Sequence, residues 1–509
     1  MEVELKTEVK NGSAPSVSGR SSFKRRVVLW DYHIEPALVK SLQSAGIDVV
    51  ATIDGRVDGI PHFSLAEMQF GSKELSSQYE PLACRPSAEM LRIYIRSASR
   101  IGLVPWSGVM TVHYGGLLEP SEIEDWAQLH MHQSAKLLLS LSANEVWFFT
   151  VPHLGVDNAM HEIAMHLGLR VLILRQLIFP AKFLFHAWVH GVRIFPRVEG
   201  FSKWVKDASA LDLFYMRPRR WRGLVEALLE RSCAILAAIR VGKFRHLLGR
   251  LYTGALDRKW WSLVRLLEFS DSATRSSGAL HASMSRAWKR NRSNRRMVAL
   301  AEVREAFVYF PLHYEPEANS DIYGGRYTNQ IDAIDAICRS LPERWIVLLK
   351  ENPKQTFLRR SPAFFKRIES LARVYWVDDA TPTEDLRRRS AVSATITGTV
   401  GWESLCGGRA CVYFGEPWYA TMPGAVRFIV DIDLVEVSNI VVHKCDLDAA
   451  LKEFLSQAAD GLAAARYAGQ LPEDLNQVMA ADLTAQSLLK ITHAVDLMCE
   501  AMCPRDPQN

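Results

Sequence analysis

Three short stretches carry residues whose types and order suit the binding of an anion. The first is Pro311-Leu312-His313-Tyr314-Glu315-Pro316-Glu317, the second Lys350-Glu351-Asn352-Pro353, and the third Thr397-Gly398-Thr399-Val400-Gly401-Trp402-Glu403. The Thr397-Gly398-Thr399 turn offers glycine backbone, two hydroxyls and the start of a helical pattern, which together suit a phosphate. Lys350 and Asn352 can back that charge. Lys350 also fits a strand-end surface residue. His313 suits a phosphate or a polar ligand, or fills a loop. Glu315 and Glu317 suit hydroxyl groups. Glu403 lies one helical turn past the phosphate turn, where it binds hydroxyls or satisfies the helix macrodipole.

A second group lies in the first half of the chain. Asp31 follows the apolar run Val27–Trp30. His153 and Asp157 follow Glu145–Thr150 in the stretch Val151-Pro152-His153-Leu154-Gly155-Val156-Asp157. Carboxylates and an imidazole in such places can take a proton from a hydroxyl, and a carboxylate can act as nucleophile. Asp157 is the favoured base or nucleophile. Asp31 and Asp157 equally fit helix caps, and His153 a loop position.

Each of these residues sits just after a short apolar run that reads as a buried strand, and helical patterns separate the runs. Val27–Trp30, the helical Glu35–Ala45 and Ile47–Ala51 form a β-α-β opening. Glu145–Thr150, Asn158–Leu167 and Arg170–Leu174 repeat it. From Phe307 the alternation resumes: strands at Phe307–Phe310, Arg344–Lys350, Val374–Val377 and Val392–Ile396, with helices at Gln330–Ser340, Ala363–Leu371 and Pro382–Arg388 between them. The fold class is α/β, with two Rossmann-like parallel sheets. Ligands bind outside the carboxyl ends of such strands, where all the residues above fall. Phe428–Asp433 is a further expected strand, and 457–501 is expected to be helical. The organisation is a disordered tail (1–22), an N-terminal Rossmann-like domain (23–200) and an insertion (201–300). A C-terminal Rossmann-like domain (301–445) and C-terminal helices (446–509) follow.

The chain's 509 residues need at least two domains, and 48% hydrophobic with 23% charged residues excludes disordered, collagenous and coiled-coil classes. A net charge of +5 is too small to imply nucleic-acid binding. Its distribution is uneven: residues 201–296 hold 21 Lys or Arg against 7 Asp or Glu, with Trp204, Trp221, Trp260, Trp261 and Trp288 among them. Basic amphipathic helices with Trp suit an anionic membrane surface, and a solvated helical insertion is the competing explanation. Eight scattered cysteines show no metal or disulfide spacing, so free thiols in a reducing compartment are expected. No signal peptide is expected at the N-terminus, whose first 22 residues are polar, and no apolar run reaches membrane-spanning length. A cytoplasmic protein, peripheral on the inner membrane through 201–296, is the expectation.

The three C-terminal stretches resemble signatures of the bacterial capsule polysaccharide biosynthesis family, which includes Kdo transferases. Val308–Glu317 looks like its first signature, Lys350-Glu351-Asn352-Pro353 its "K-E-H-P" segment, and Thr397–Leu405 with Phe414-Gly415 and Trp418-Tyr419 its third. The match covers about residues 305–425. It implies a GT-B architecture, two Rossmann-like domains facing a cleft. It also implies a glycosyltransferase of surface polysaccharide synthesis that uses a nucleotide-sugar donor such as CMP-Kdo and a glycan or lipid-linked acceptor. His313, Glu315, Glu317, Lys350, Asn352, Thr397, Gly398, Thr399 and Glu403 would then bind the donor, and Asp157, His153 and Asp31 would serve the acceptor side. Asn352 departs from the pattern, because the family has histidine there; Asn donates a hydrogen bond but carries no charge. No acidic pair lies in a metal-binding context, so neither metal nor cofactor is expected. A non-catalytic assembly factor and a nucleotide-sugar epimerase or hydrolase are the alternative functions.

Overall fold

The computed structural model describes residues 24–31, 34–63, 68, 86–88, 90–91, 120–153, 155–179, 181–201, 287–315, 317–353, 355, 360, 362–464, 467–468, 471 and 475–502. The expected tail and nearly all of the basic insertion, with Trp204, Trp221, Trp260 and Trp261, lie outside them.

The N-terminal sheet is built from β1 (Arg26–Asp31), β2 (Asp48–Asp54), β3 (His62–Phe63), β4 (Glu145–Phe148), β5 (Arg170–Gln176), β6 (Lys182–Val189) and β7 (Val192–Ile194). Its parallel part runs in the order β3-β2-β1-β4-β5, and β6 adds antiparallel to β5. Helix α1 (Pro36–Ser44) covers one face, and α2 (Pro120–Ser140) and α3 (Val156–His166) pack together on the other. Val27 and Leu29 point to the α1 side while Val28 and Trp30 point to the other, so the period-2 alternation of one strand feeds two cores.

The second sheet is six-stranded and parallel: β8 (Phe307–Pro311), β9 (Ile346–Lys350), β10 (Val374–Trp376), β11 (Val392–Thr395), β12 (Cys411–Tyr413) and β13 (Ala425–Arg427). Their order is β10-β9-β8-β11-β12-β13. Both sheets therefore reverse direction beside their first strand, next to β4 in one and β11 in the other. That reversal is the doubly wound arrangement, and it opens a crevice outside the carboxyl ends of the two central strands. Helices α4 (Ala318–Asp321), α5 (Gln330–Arg339), α6 (Pro362–Glu369), α7 (Thr383–Arg389) and α8 (Thr399–Cys406) connect the strands. The buried side chains of α5 and α6 join Val308 and Phe310 on one face. Leu386 of α7 and Val400 of α8 join Phe307 and Tyr309 on the other.

After β13 come α9 (Leu434–Ser438), α10 (Lys444–Ser456), β14 (Ala459–Asp460) and α11 (Gln477–Met502). The chain ends by returning to the first domain. β14 pairs antiparallel with β6, and Leu488, Ile491 and Val495 of α11 complete the core that holds Leu29. Ions fix this return. The fully buried Lys182 meets Asp460 at 2.6 Å, and Asp496 of α11 takes both Arg25 and Arg170.

Four expectations need correction. The segment 446–509 is not a separate helical unit, because β14 and α11 belong to the N-terminal domain, and the helix starts at Gln477. The insertion's end at 300 is too late. Trp288 is in the C-terminal core, Met297 bridges to Trp376, and Arg296 donates to the carbonyls of Glu369, Leu371 and Ala372. Arg292 and Arg295 pair with Asp379, so this end of the basic run is structural rather than a free basic face. The strand expected at Phe428–Asp433 is Ala425–Arg427 instead. Ile429 and Val430 are 63% and 69% exposed, and Asp431 turns the chain with φ 68°. Finally, the hairpin β6–β7 goes unmarked by the helical and strand patterns used above. Its turn, His190-Gly191, has φ of 49° and 77°, the two positive values of a tight hairpin, and the His-Gly pair is the signal for it.

Candidate active site

The crevice of the C-terminal sheet lies between the ends of β8 and β11, and His313 and Thr395 meet there. Their Nε2 and Oγ1 atoms are 3.1 Å apart, and the Thr397 N–H also donates to Nε2 at 3.4 Å. Thr395 Oγ1 accepts from the Gly398 N–H at 3.0 Å, so its own proton goes to His313. With Nε2 accepting, the imidazole keeps its proton on Nδ1. Burial, aided by the Arg360 guanidinium, lowers the His313 pKa to about 4. The ring is therefore neutral at physiological pH. It clasps the turn as a structural loop histidine and brings no cationic charge to a phosphate.

The clasp shapes the turn that enters α8. Gly398 is its N-cap, with extended backbone, and Tyr419 donates its hydroxyl proton to the Gly398 carbonyl at 2.6 Å. A Cβ on Gly398 would lie 2.6 Å from Thr395 Oγ1, and one on Gly401 would lie 2.1 Å from the Tyr419 oxygen. Both glycines are needed for close approach. The N–H groups of Thr399 and Val400 have no partner among the described residues, as first-turn donors do not within a helix. Glu403 is 8% exposed and accepts from the Thr399 hydroxyl at 3.2 Å through one oxygen. Its other oxygen is buried with no partner, and burial raises its pKa.

The second and first stretches are joined by a residue that the sequence analysis misses, Arg360. Its guanidinium is fully buried. It donates to Glu351 at 3.0 and 3.1 Å, to Glu315 at 2.7 Å and to the His313 carbonyl at 3.0 Å. Glu315 is thus committed to an ion pair rather than open to a hydroxyl. Its backbone is held by Gln355, and His313's backbone by Gln330 through a reciprocal pair of bonds. Glu351 also accepts from the Asn352 N–H at 3.0 Å, which fixes that loop. Lys350 turns away: it donates to the Thr381 carbonyl at 2.6 Å and to the Thr383 hydroxyl at 3.1 Å. Its ammonium is held half-buried by these two oxygens. Glu317 caps α4 with its backbone carbonyl, which accepts from Ser320 and Asp321.

In the N-terminal sheet the crevice lies between β1 and β4. Asp31 ends β1 opposite Asp54, and the N-cap position of α1 is Glu35. Asp157 is in the first turn of α3 and nearly fully buried. It accepts from the His153 N–H at 2.9 Å and the Asn158 N–H at 2.8 Å. Both oxygens are therefore occupied by backbone donors, the cap-like arrangement. His153 donates Nδ1–H to the Val151 carbonyl at 2.7 Å, and Nε2 is left as the basic nitrogen.

The two crevices are linked by residues 318–323. The Thr397 hydroxyl donates to the Asn319 carbonyl at 2.9 Å, and the Glu416 N–H to the Tyr323 carbonyl at 2.8 Å. Ala318, Ile322 and Tyr323 pack into the same core as Val156 at the start of α3. Of the residues expected at the site, His313, Thr397, Gly398, Thr399 and Glu403 form one constellation. Glu315 and Asn352 support it from Arg360's side.

Two doubly wound domains joined in this way define a two-Rossmann α/β protein. No protein-family model and no curated protein matches the chain. Among solved structures it is similar to the β-Kdo 2,7 transferase KpsC of Thermosulfurimonas dismutans, with 11% identity, TM-score 0.31, and coverage of 71% of this chain and 89% of that one. It is also similar to UDP-GlcNAc 2-epimerase of Methanocaldococcus jannaschii, at 11% identity and TM-score 0.22, covering 92% and 99%. A third is a UDP-forming trehalose-phosphate synthase of Burkholderia vietnamiensis, at 11% identity and TM-score 0.28, covering 94% and 98%. At these TM-scores the likenesses carry no argument. Among the described residues no helix is long and apolar enough to cross a membrane, and no cluster of potential metal ligands occurs.

Proposed function

We propose that the chain is a glycosyltransferase of bacterial surface polysaccharide synthesis that moves a sugar from a nucleotide donor to a glycan or lipid-linked acceptor. The observation that carries the reading is the Thr397–Glu403 turn. Its Thr399 and Val400 N–H groups are open at a helix start, and a buried Glu403 oxygen beside them has no partner. Open donors in a fixed, poorly hydrated crevice stabilise the charge that develops on a leaving phosphate, and they do so without reorganisation. Glu403 would take donor hydroxyls, which supply the hydrogen bonds its second oxygen lacks.

On the acceptor side the base is His153 rather than Asp157. Asp157 has both oxygens on backbone N–H groups, and its role is to hold the loop that presents His153. The acceptor O–H gives its proton to His153 Nε2 while the oxygen bonds the anomeric carbon. The bond from that carbon to the donor phosphate breaks, and its electron pair leaves on the phosphate. The resemblance to capsule enzymes points to a nucleotide sugar such as CMP-Kdo as the donor, and the basic, Trp-containing run 201–296 points to a peripheral membrane setting.

Melting temperature in CMP, UDP and GDP tests the donor site, because a ligand that binds only the folded state raises it by mass action. One nucleotide should stabilise the protein, and its sugar conjugate should release nucleotide only when acceptor is added. Turnover without acceptor would instead identify an epimerase or hydrolase. Should no nucleotide move the melting temperature, the transferase reading falls.

A further inference from the structure

A second group of cationic side chains lies away from the donor turn, on the α3 face of the N-terminal sheet. Arg175 of β5, His186 of β6 and Arg193 of β7 share that face. The ladder registers Ile173 with His186 and Trp188 with Arg193, and alternation brings Arg175 to the same side as Ile173. His161 of α3 packs over them, with its ring 5.8 Å from that of Trp188. Tyr323 closes the group from the C-terminal domain: the Arg175 guanidinium lies 3.7 Å from its ring centroid.

Among the described residues no carboxylate neutralises this charge. Neither Arg175 nor Arg193 makes a hydrogen bond or ion pair among the described residues, and their contacts are to the rings of Tyr323 and Phe195. Arg193 Nε and His161 Nε2 are buried without a partner. Glu416, whose charge Tyr323 feels, is exposed and pairs with neither arginine. Buried or half-buried guanidinium groups are ordinarily paired, since an unmatched cation in a poorly hydrated place is costly. Two such groups, with two histidines beside them on one sheet face, leave guanidinium donors for which the described residues supply no carboxylate. His161 and His186 are both held neutral by burial and by Arg193.

We propose that Arg175, Arg193, His161 and His186 form an oxyanion site that receives a carboxylate or phosphate of the acceptor. Arginine suits either group because its planar fork matches two oxygens at once. The position fits an acceptor. The group lies in the N-terminal domain, and Tyr323 joins it to the segment whose Asn319 carbonyl holds the donor turn. That the anion belongs to an acceptor rests on the transferase reading; that an anion binds here does not.

Calorimetric titration of the intact protein with D-glucuronate and with D-glucose 6-phosphate tests the site, with D-glucose as the neutral control and ionic strength held constant. At least one anionic sugar should bind and glucose should not; which one binds tells carboxylate from phosphate. Arg175→Gln and Arg193→Gln should each weaken binding roughly tenfold or more, because each removes a charge-assisted bond. Arg193→Lys should recover part of it. Because Arg175 also supports the domain seam, Arg193→Gln is the decisive variant, and its unliganded melting temperature should match the parent's. Binding that survives undiminished in Arg193→Gln, or is absent from the parent, overturns the proposal.

Discussion

The Thr397 hydroxyl donates to the Asn319 carbonyl at 2.9 Å, and this bond ties the donor turn to a segment packed into the other domain. The turn is thus braced from two sides, by His313 within its own sheet and by Asn319 across the seam. Thr397→Val keeps the shape and removes the bond. The Asn319 carbonyl is next to solvent, so the cost to stability should be about 1 kcal/mol. Nucleotide affinity should fall more than stability, by roughly fivefold, because the loosened turn no longer presents its N–H groups in register. Titration of the variant with the nucleotide that stabilises the parent measures this. Unchanged affinity would show that the turn holds its form without the bond.

Arg360 answers for two buried carboxylates, Glu315 and Glu351, and for the His313 carbonyl. Arg360→Met removes the charge and leaves both carboxylates buried without it. Breaking a buried ionic group in this way costs about 3–5 kcal/mol, which urea unfolding would register as a lower midpoint. A triple change to Arg360→Met, Glu315→Gln and Glu351→Gln should recover much of that loss, since no unmatched charge remains. If the single change costs under about 1 kcal/mol, the network is not what holds the first two stretches together.

How far the sequence led is shown by these same residues. Strand ends and helix starts were legible because apolar runs of period 2 alternate with helical spacing. The strand-end positions of His313, Thr397 and Glu403 on one sheet edge are therefore readable from the sequence. The reversal of strand order is not legible in the β-α-β pattern, because it depends on which side of β1 and β8 the later strands pair. Arg360 was not legible. It lies beyond the second stretch, within a polar segment, and its burial depends on contacts with Glu315 and Glu351 that are far apart in the chain. The direction of Lys350, out of the crevice toward Thr383, was equally hidden, because a strand end fixes a position and not a rotamer. The return of α11 to the first domain also depends on long-range pairing, of Asp496 with Arg25 and Arg170.

Glu403 offers a case in which function and stability pull apart. Its buried, unpartnered oxygen is disfavoured as a charge, and burial raises its pKa. A raised carboxyl pKa contributes stability below the unfolded value, near 4.5, and that contribution is lost as pH rises through the folded value. At pH 8 the charged side chain is therefore a burden that Glu403→Gln removes. The variant should melt at the same temperature or higher than the parent at pH 8, and the gain should shrink toward pH 5. Nucleotide binding should weaken at both pH values, since the amide replaces one acceptor with a donor. A variant that loses stability at pH 8 would mean that the carboxylate is satisfied in the protein.

His313 gives the opposite sign. Burial, with Arg360 beside it, depresses its pKa from 6.5 to about 4, so the folded protein holds the neutral ring while the unfolded chain takes a proton. Its contribution is present above pH 6.5 and is lost as pH falls toward 4, with a full span on the order of 3 kcal/mol. His161, also lowered to about 4, and His186 act in the same direction. The parent should therefore lose stability steeply between pH 6.5 and 4. His313→Gln isolates one part of this, because the amide oxygen can accept the Thr397 N–H without titrating. The gap in melting temperature between parent and variant should be widest at pH 7 and should narrow at each step down to pH 4.5. A gap that stays constant would show that the ring titrates alike in the folded and unfolded chain, and that burial does not hold it neutral.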